Sequence, residues 1–376
     1  MKQAAYDVRY LAACAVNGIA PEKEIVEAMD MAALYKMSRS HSLSALTAAA
    51  ISAAGVELSA GFGRARDMSL QKSILFDAER ARLLDFMEQN GIWYLPLKGI
   101  ILKDMYPRLG LREMADNDIL FDPEHRAQVA EFMKQSGYRV DSYGRTHHDT
   151  YFKDPVFNFE LHVSMFDEDA GAAFMGYYED IKSRLIPMEG KKFGYRMSDE
   201  EFYIHMTAHE YEHYSGGGTG LRSLLDRYVY LSAKGDTLNM AAVEAGCRAL
   251  GIGEFERDAR ALCYKVFGNP QLPGLEERET EMLEYYMFST TYGTVFQGIQ
   301  NRIRRDYGRA SKSAKLRYVM RRVFPRTEFY KSYCPVAYKY KILIPPVWFY
   351  RLVRALFVRR GRIKQEIEVV SRMDEK

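Results

Sequence analysis

The sequence has few cysteines and no long apolar run. Its four cysteines among 376 residues, Cys14, Cys247, Cys263 and Cys334, stand far apart with no paired short spacing. That excludes a zinc ribbon and a dense disulfide framework, and it fits a reducing cytoplasm. No window reaches the roughly 18 uninterrupted apolar residues that a membrane-spanning helix needs. The run from Tyr10 to Val16 is short, is broken by Asn17-Gly18 and follows acidic Asp7 beside Arg9, a poor match to a signal peptide. A soluble cytoplasmic protein is expected.

What is present is ample apolar material. At 47% hydrophobic residues, the chain is long enough for a large core and for two or three packed units. The net charge of +3 hides an asymmetry, because residues 301–376 hold 21 Lys and Arg against 6 Asp and Glu. A tail so basic meets phosphate, nucleic acid, a membrane surface or the acidic remainder of the chain.

Residues 1–90 carry apolar residues at helical spacing, as in Ile25, Met29, Met31, Leu34 and Tyr35, and again in Ile74, Leu75, Ala78, Leu83 and Phe86. Gln89-Asn90-Gly91 ends this helical leader, and Ile92 to Leu97 reads as a short buried strand. A helix is expected from Ile100 to Tyr106, stopped by Pro107 and Gly110, and the end of a second strand at Ile119 to Phe121. Pro123 to Ser136 then reads as a helix, Tyr138 to Tyr143 as a strand, and Phe157 to Met165 as a strand alternating Phe159, Leu161, Val163 with Asn158, Glu160, His162. Residues 91–190 thus form a small α/β or α+β core. Helical spacing returns over 191–300, and 301–376 is a basic, aromatic helical tail with its last helix at Val347 to Ser371. The fold class is α+β, a small mixed sheet with flanking helical regions.

Asp116 and Asp118 are two apart, so on a strand both face the same way while Ile119 and Phe121 pack on the other side. Glu160 faces with Asn158 and His162 on the later strand and completes the cluster if the strands are neighbours. Carboxylates so placed repel and need a cation, and hard oxygen ligands without cysteine favour Mg²⁺ or Mn²⁺.

The order strand, Lys98-Gly99 turn, helix, strand with Asp116-Asn117-Asp118, then a distant strand with Glu160 resembles the polymerase β type nucleotidyltransferase fold. The whole chain more closely resembles a bacterial family described as uncharacterised nucleotidyltransferases. The resemblance is carried by Leu97-Lys98-Gly99, Tyr106-Pro107, Arg112, Asp116-Asn117-Asp118-Ile119, Gly137-Tyr138, Phe159-Glu160-Leu161-His162 and Leu225-Asp226. It continues into the tail at Phe324-Pro325 and Pro345 to Arg351. One departure is Lys98-Gly99 in place of the superfamily's usual Gly-Ser after the first strand. The resemblance implies an NTP donor, nucleoside monophosphate transfer to an acceptor with release of pyrophosphate, and metal ions held by Asp116, Asp118 and Glu160. Lys98, Gly99 and Arg112 are then the expected phosphate contacts, and His162, His209 and Asp226 line the cleft.

A rival motif is His209-Glu210-Tyr211-Glu212-His213, the His-Glu-x-x-His pattern of zinc metallohydrolases, with both imidazoles on one helical face. Position 219 is Thr where extended versions carry a third histidine, so a third ligand such as Asp226 would be required. A catalytically inactive nucleotide-binding module is a third expectation. In the tail, Arg321, Arg322, Arg351, Arg354, Arg359, Arg360 and Arg362 interleave with Trp348, Phe349, Tyr350 and Phe357. That pattern suits RNA or an anionic membrane surface. The bland reading docks Trp348, Leu352, Val353 and Leu356 on the body and leaves the arginines solvated.

Overall fold

The computed structural model describes residues 2–291, 297–299, 301, 303, 312–325, 327, 329–330 and 334–358. Packing divides the chain into two units, residues 1–212 with 220–291, and residues 213–219 with 292–376. Each unit is taken by itself.

In the larger unit, helices α1 (Lys2–Val16), α2 (Lys23–Glu27), α3 (Met31–Ser40), α4 (Ser44–Ala53) and α5 (Ala60–Gln89) occupy the segment read as helical from its periodicity. Ala5, Val8, Leu11 and Ala12 recur at helical spacing and are fully buried, which gives α1 its inward face. The Asp30 carboxylate caps α3 by accepting from the backbone N–H groups of Ala32 and Ala33, each at 3.0 Å. Helix α5, 30 residues and about 45 Å long, ends at Asn90, and Gly91 turns the chain away at a φ of +71°.

The chain then enters a five-stranded sheet ordered β1-β2-β5-β4-β3, built from Tyr94–Pro96, Asn117–Phe121, Arg139–Ser142, His148–Lys153 and Phe157–His162 numbered along the chain. Only the β2/β5 pair is parallel; the other pairs are antiparallel. Strand β4 is the element that hydropathy missed, since its run His148-Asp149-Thr150-Tyr151 mixes charge on both faces. One face of the sheet packs Ile119, Phe121, Phe159 and Leu161 against Phe76, Leu83 and Met87 of α5 and against Val129 and Met133 of α7 (Arg126–Gln135), which follows α6 (Lys98–Leu102). The opposite face carries Asp118, Glu160 and His162.

After α8 (Ala172–Tyr178) and the small hairpin β6/β7 (Ile186–Pro187 and Tyr195–Arg196), the unit closes with α9 (Asp199–Ser215), α10 (Leu221–Lys234), α11 (Met240–Ala249), α12 (Gly253–Phe267) and α13 (Glu277–Ser289). These pack around a fully buried Arg227, whose Nη1 donates to the Tyr203 hydroxyl at 2.7 Å and to Thr207 Oγ1 at 3.1 Å. Its Nε donates to Glu210 Oε2 at 3.1 Å, and Glu210 Oε1 accepts from Tyr286 at 2.7 Å. A buried guanidinium is tolerable because its donors are satisfied in this way.

In the smaller unit, helices Lys312–Val323, Pro335–Lys339 and Ile344–Val358 are described. Trp348 Nε1 donates to the Val323 carbonyl at 2.8 Å, its ring stacks on Phe324 at 5.3 Å, and Arg351 donates to the same carbonyl at 3.2 Å. The aromatic and basic residues of the last helix therefore close the end of Lys312–Val323, while Phe349, Tyr350, Val353 and Phe357 stay exposed. Arg359, Arg360, Arg362, the side chain of Leu356 and the stretch to Ser371 lie outside the described residues. No helix among the described residues is long and apolar enough to cross a membrane, and no cysteine there forms a disulfide.

His41 joins the N-terminal helices to the C-terminal ones. Its Nδ1 accepts from the Leu221 N–H at 3.2 Å, so its Nε2 carries the proton that reaches the Met287 carbonyl at 3.1 Å. Both nitrogens are committed only in the neutral ring, and burial pushes the group from 6.5 down to about 4. Because the folded value is the lower one, the unfolded chain binds the extra proton first. The stability is whole above pH 6.5 and is lost as pH falls toward 4, up to about 3 kcal/mol. Denaturant midpoints measured across that window should fall more steeply for the native chain than for His41→Gln; equal slopes would remove His41 from the acid response.

Candidate functional site

The site is assembled by the parallel pairing of β2 and β5. Its register sets Asp118 opposite Glu160 and Leu120 opposite His162. Parallel neighbours in register present their side chains on the same face, so one hydrogen-bonded ladder brings together two carboxylates that lie 42 positions apart. Asp116 stands two residues before Asp118, just ahead of β2. Between them, Asn117 points to the core side and is held by Arg80 of α5, whose Nη1 donates to Asn117 Oδ1 at 2.9 Å. That grip fixes which way the acidic pair faces.

Charge crowding is the main physical property of the site. Burial, reinforced by the Asp118 charge, pushes Asp116 up to about 6. Burial with the charges of Asp118 and Asp116 pushes Glu160 up to about 7. Burial also raises Asp118, but the His162 hydrogen bond and the nearby positive charges outweigh it and hold this carboxyl below its ordinary value. A ligand atom each from Asp118, Glu160 and His162 lie within 4.8 Å of one another. Asp116 flanks this group and is not within it. The buried, crowded carboxylate oxygens of Asp118 and Glu160 fit a hard divalent cation.

Lys98 opens α6. The Leu97 N–H donates to the Asp118 carbonyl at 2.9 Å, which lays the turn across the end of β2. Lys98 Nζ stands 2.6 Å from the His209 ring nitrogens, and burial lowers the Lys98 pKa while the two aspartates oppose the shift. His209, on α9, is thus brought to the site through this lysine.

Arg112 and Asp226, singled out separately in the sequence, meet each other. Arg112 Nε and Nη2 donate to Oδ1 and Oδ2 of Asp226 at 2.8 and 2.9 Å, and the Tyr106 hydroxyl adds a bond to Oδ1 at 2.7 Å. The pair is buried, and the carboxylate holds Arg112 permanently charged. Arg112 Nη1 donates to Met114 Sδ at 3.4 Å and faces the loop, where a Cβ on Gly99 would come within 3.3 Å of it. The glycine therefore makes room for an anchored cation under the turn. Two cations were missed in the sequence, Lys72 and Arg222. They bond the Ala115 and Glu113 carbonyls at 3.1 and 3.2 Å, so the loop entering β2 is held between them. Helical lysine and arginine are too common for their position to have been a signal.

The metallohydrolase reading does not survive the geometry. Glu210, its required general base, is 4% exposed and committed to Arg227 and Tyr286. Among the described residues, no cluster of metal-ligating atoms includes His209 or His213. His205, on the same helix, is buried against Phe166 and Tyr178 with ring centroids 5.9 and 6.0 Å away, a packing role.

His147 and His148 also escaped the sequence reading, because β4 did. His148 pairs across the sheet with His162, and the three imidazoles lie with ring centroids 4.6, 5.1 and 5.3 Å apart. The adjacent histidine pair in a chain of only eight histidines was the available signal.

No curated protein and no solved structure matches the chain. A family model described as uncharacterised nucleotidyltransferase matches residues 27–268, which include every described strand, the three carboxylates, Lys98 and the Arg112–Asp226 pair. The chain belongs to that family of nucleotidyltransferases, enzymes that take a nucleoside triphosphate as substrate.

Proposed function

We infer that the protein transfers a nucleoside monophosphate from an NTP to a hydroxyl or phosphate acceptor and releases pyrophosphate. The observation that carries this reading is the direct β2/β5 pairing of Asp118 with Glu160, with Asp116 beside them and Lys98 across the end of the strand. Asp116 and Asp118 would hold Mg²⁺ or Mn²⁺ against the donor phosphates, and Glu160 would hold the ion nearest the acceptor. Bound there, the cation supplies neutralisation of the triphosphate and a lowered pKa for the acceptor hydroxyl. The residues do the remaining work. Lys98 offers a point charge to a phosphate oxygen, a role for which its partly buried ammonium beside a histidine leaves it available to exchange partners. Arg112, clamped by Asp226, keeps a fixed positive potential beneath the turn at no cost in reorganisation when the substrate arrives. The polar face of the sheet is partly buried, which strengthens each of these interactions relative to water.

The chemistry is indifferent to the acceptor, so donor binding is the first thing to measure. Calorimetric titration of each NTP in Mg²⁺ should give heat for at least one nucleotide, and none for the double variant Asp116→Ala with Asp118→Ala. A folded native chain that binds no NTP would end the transferase reading, and nucleotide binding that survives the double variant would favour an inactive binding module.

Once a donor is known, Glu160→Gln should keep much of the nucleotide affinity and lower pyrophosphate release about 100-fold or more, because the ion at the acceptor side loses its ligand. Lys98→Met should lower kcat/KM for the NTP by about 10- to 100-fold, the size of a lost charged hydrogen bond. Unchanged turnover in either variant would remove that residue from the site.

A further inference from the structure

We propose that His147, His148 and His162 form a second metal site, selective for a borderline transition-metal ion, zinc above all, which shares only His162 with the carboxylate cluster beside it. One ring nitrogen from each lies within 4.8 Å of one from each of the others. More telling is where the remaining nitrogens point, because every imidazole faces a carboxylate on its outer side. His162 Nε2 is 3.3 Å from Asp118 Oδ1, His148 Nε2 is 3.8 Å from Glu160 Oε2, and His147 Nδ1 is 3.5 Å from Asp167 Oδ2.

An ionised carboxylate can only accept, so Asp118, at hydrogen-bond distance, fixes the proton of His162 on Nε2 and leaves the lone pair on the inner nitrogen. For His162 that inner atom is Nδ1, which is buried with no hydrogen-bond partner. For the other two, the inner atoms are His148 Nδ1 and His147 Nε2, which face each other at 3.3 Å. Two nitrogens bound to one tetrahedral zinc ion stand about 3.3 Å apart, given Zn–N bonds of about 2.0 Å. Without a cation, the facing His147 and His148 nitrogens share at most one proton and His162 Nδ1 stays an orphaned acceptor, an arrangement that a shared Lewis acid resolves.

The carboxylate–histidine–metal pattern is how metal-binding imidazoles are oriented in general. Three nitrogen donors select zinc, cobalt or nickel over magnesium, whereas the carboxylates of Asp118 and Glu160 offer only oxygen. Three protein ligands also leave a position open for water or an anionic oxygen, and His147 and His148 remain 16% and 25% exposed at the side chain, so an ion can enter. This inference stands on the histidines and does not rest on the transferase reading.

The test is titration of Zn²⁺, and separately of Co²⁺ with its visible absorption, into the full chain in excess Mg²⁺. One equivalent should bind, with the cobalt spectrum of a site of low coordination number. His147→Gln should abolish that binding. Asp167→Asn, which keeps an oxygen able to cap the following turn and so preserves the fold, should weaken it by about 10- to 100-fold. Asp116→Ala should leave zinc affinity unchanged even as it removes magnesium-dependent nucleotide binding, so the two sites fail separately. The proposal is overturned if no zinc binds in excess Mg²⁺, if His147→Gln and Asp167→Asn both bind as the native chain does, or if zinc binding is lost with Asp116.

Discussion

The parallel ladder between β2 and β5 is the constraint on which the site depends. A parallel pair cannot be joined by a tight hairpin, so the chain must leave β2, build α7, β3 and β4, and return before Glu160 can stand beside Asp118. That detour determines what else is near. It places β4 on the far side of β5, and with it the two histidines that meet His162. Burying like charges along such a ladder opposes folding, and burial first, with the neighbouring aspartate charges second, raises Asp116 and Glu160. Helix α5 and the apolar face of the sheet supply the compensating burial, through Phe76, Leu83 and Met87 against Ile119 and Phe159.

Second in importance is how cations are distributed. Arg227 and Arg112 are both buried, and each is fixed by a carboxylate on a neighbouring element, Glu210 for the first and Asp226 for the second. A fixed guanidinium cannot follow a substrate, but it sets a potential. Lys98 differs, because its partner is an imidazole and its charge is opposed by burial. The same apparent class of residue, a basic side chain near acidic motifs, thus divides into anchored and exchangeable members only when partners are seen.

Much of the fold was legible because it is written in periodicity. The helical leader, the strand alternating Phe159 and Leu161 with Glu160 and His162, and the acidic pair at the head of β2 follow from spacing alone. What was not legible had a common physical cause. Strand β4 carries His148, Asp149 and Lys153 beside Thr150 and Tyr151, so no face reads as apolar, yet it sits between two strands and Tyr151 is buried. Its polar residues are satisfied by partners distant in sequence, such as Arg126, which donates to Asp149 at 2.6 and 2.8 Å. Arg112 and Asp226 are 114 positions apart, and spacing carries no information about such a pair. The His-Glu-x-x-His pattern failed for the converse reason, since its glutamate belongs to the Arg227 network, which the local motif does not reveal.

Asp118 is where the separate strands of the molecule's chemistry converge. Its backbone carbonyl receives the Leu97 N–H and so seats Lys98, and its side chain faces Glu160 on one strand and accepts toward His162 on the same strand two residues on. A carboxylate has two oxygens with several lone pairs, enough to serve a hard cation and an imidazole N–H together. A change of residue here would therefore alter more than charge. Asparagine keeps the volume and the main-chain bond, but it offers one oxygen in place of two, and its N–H groups would face an imidazole that already donates. Aspartate at 118 thus meets Glu160 and His162 at once, a tighter setting than either neighbour imposes alone.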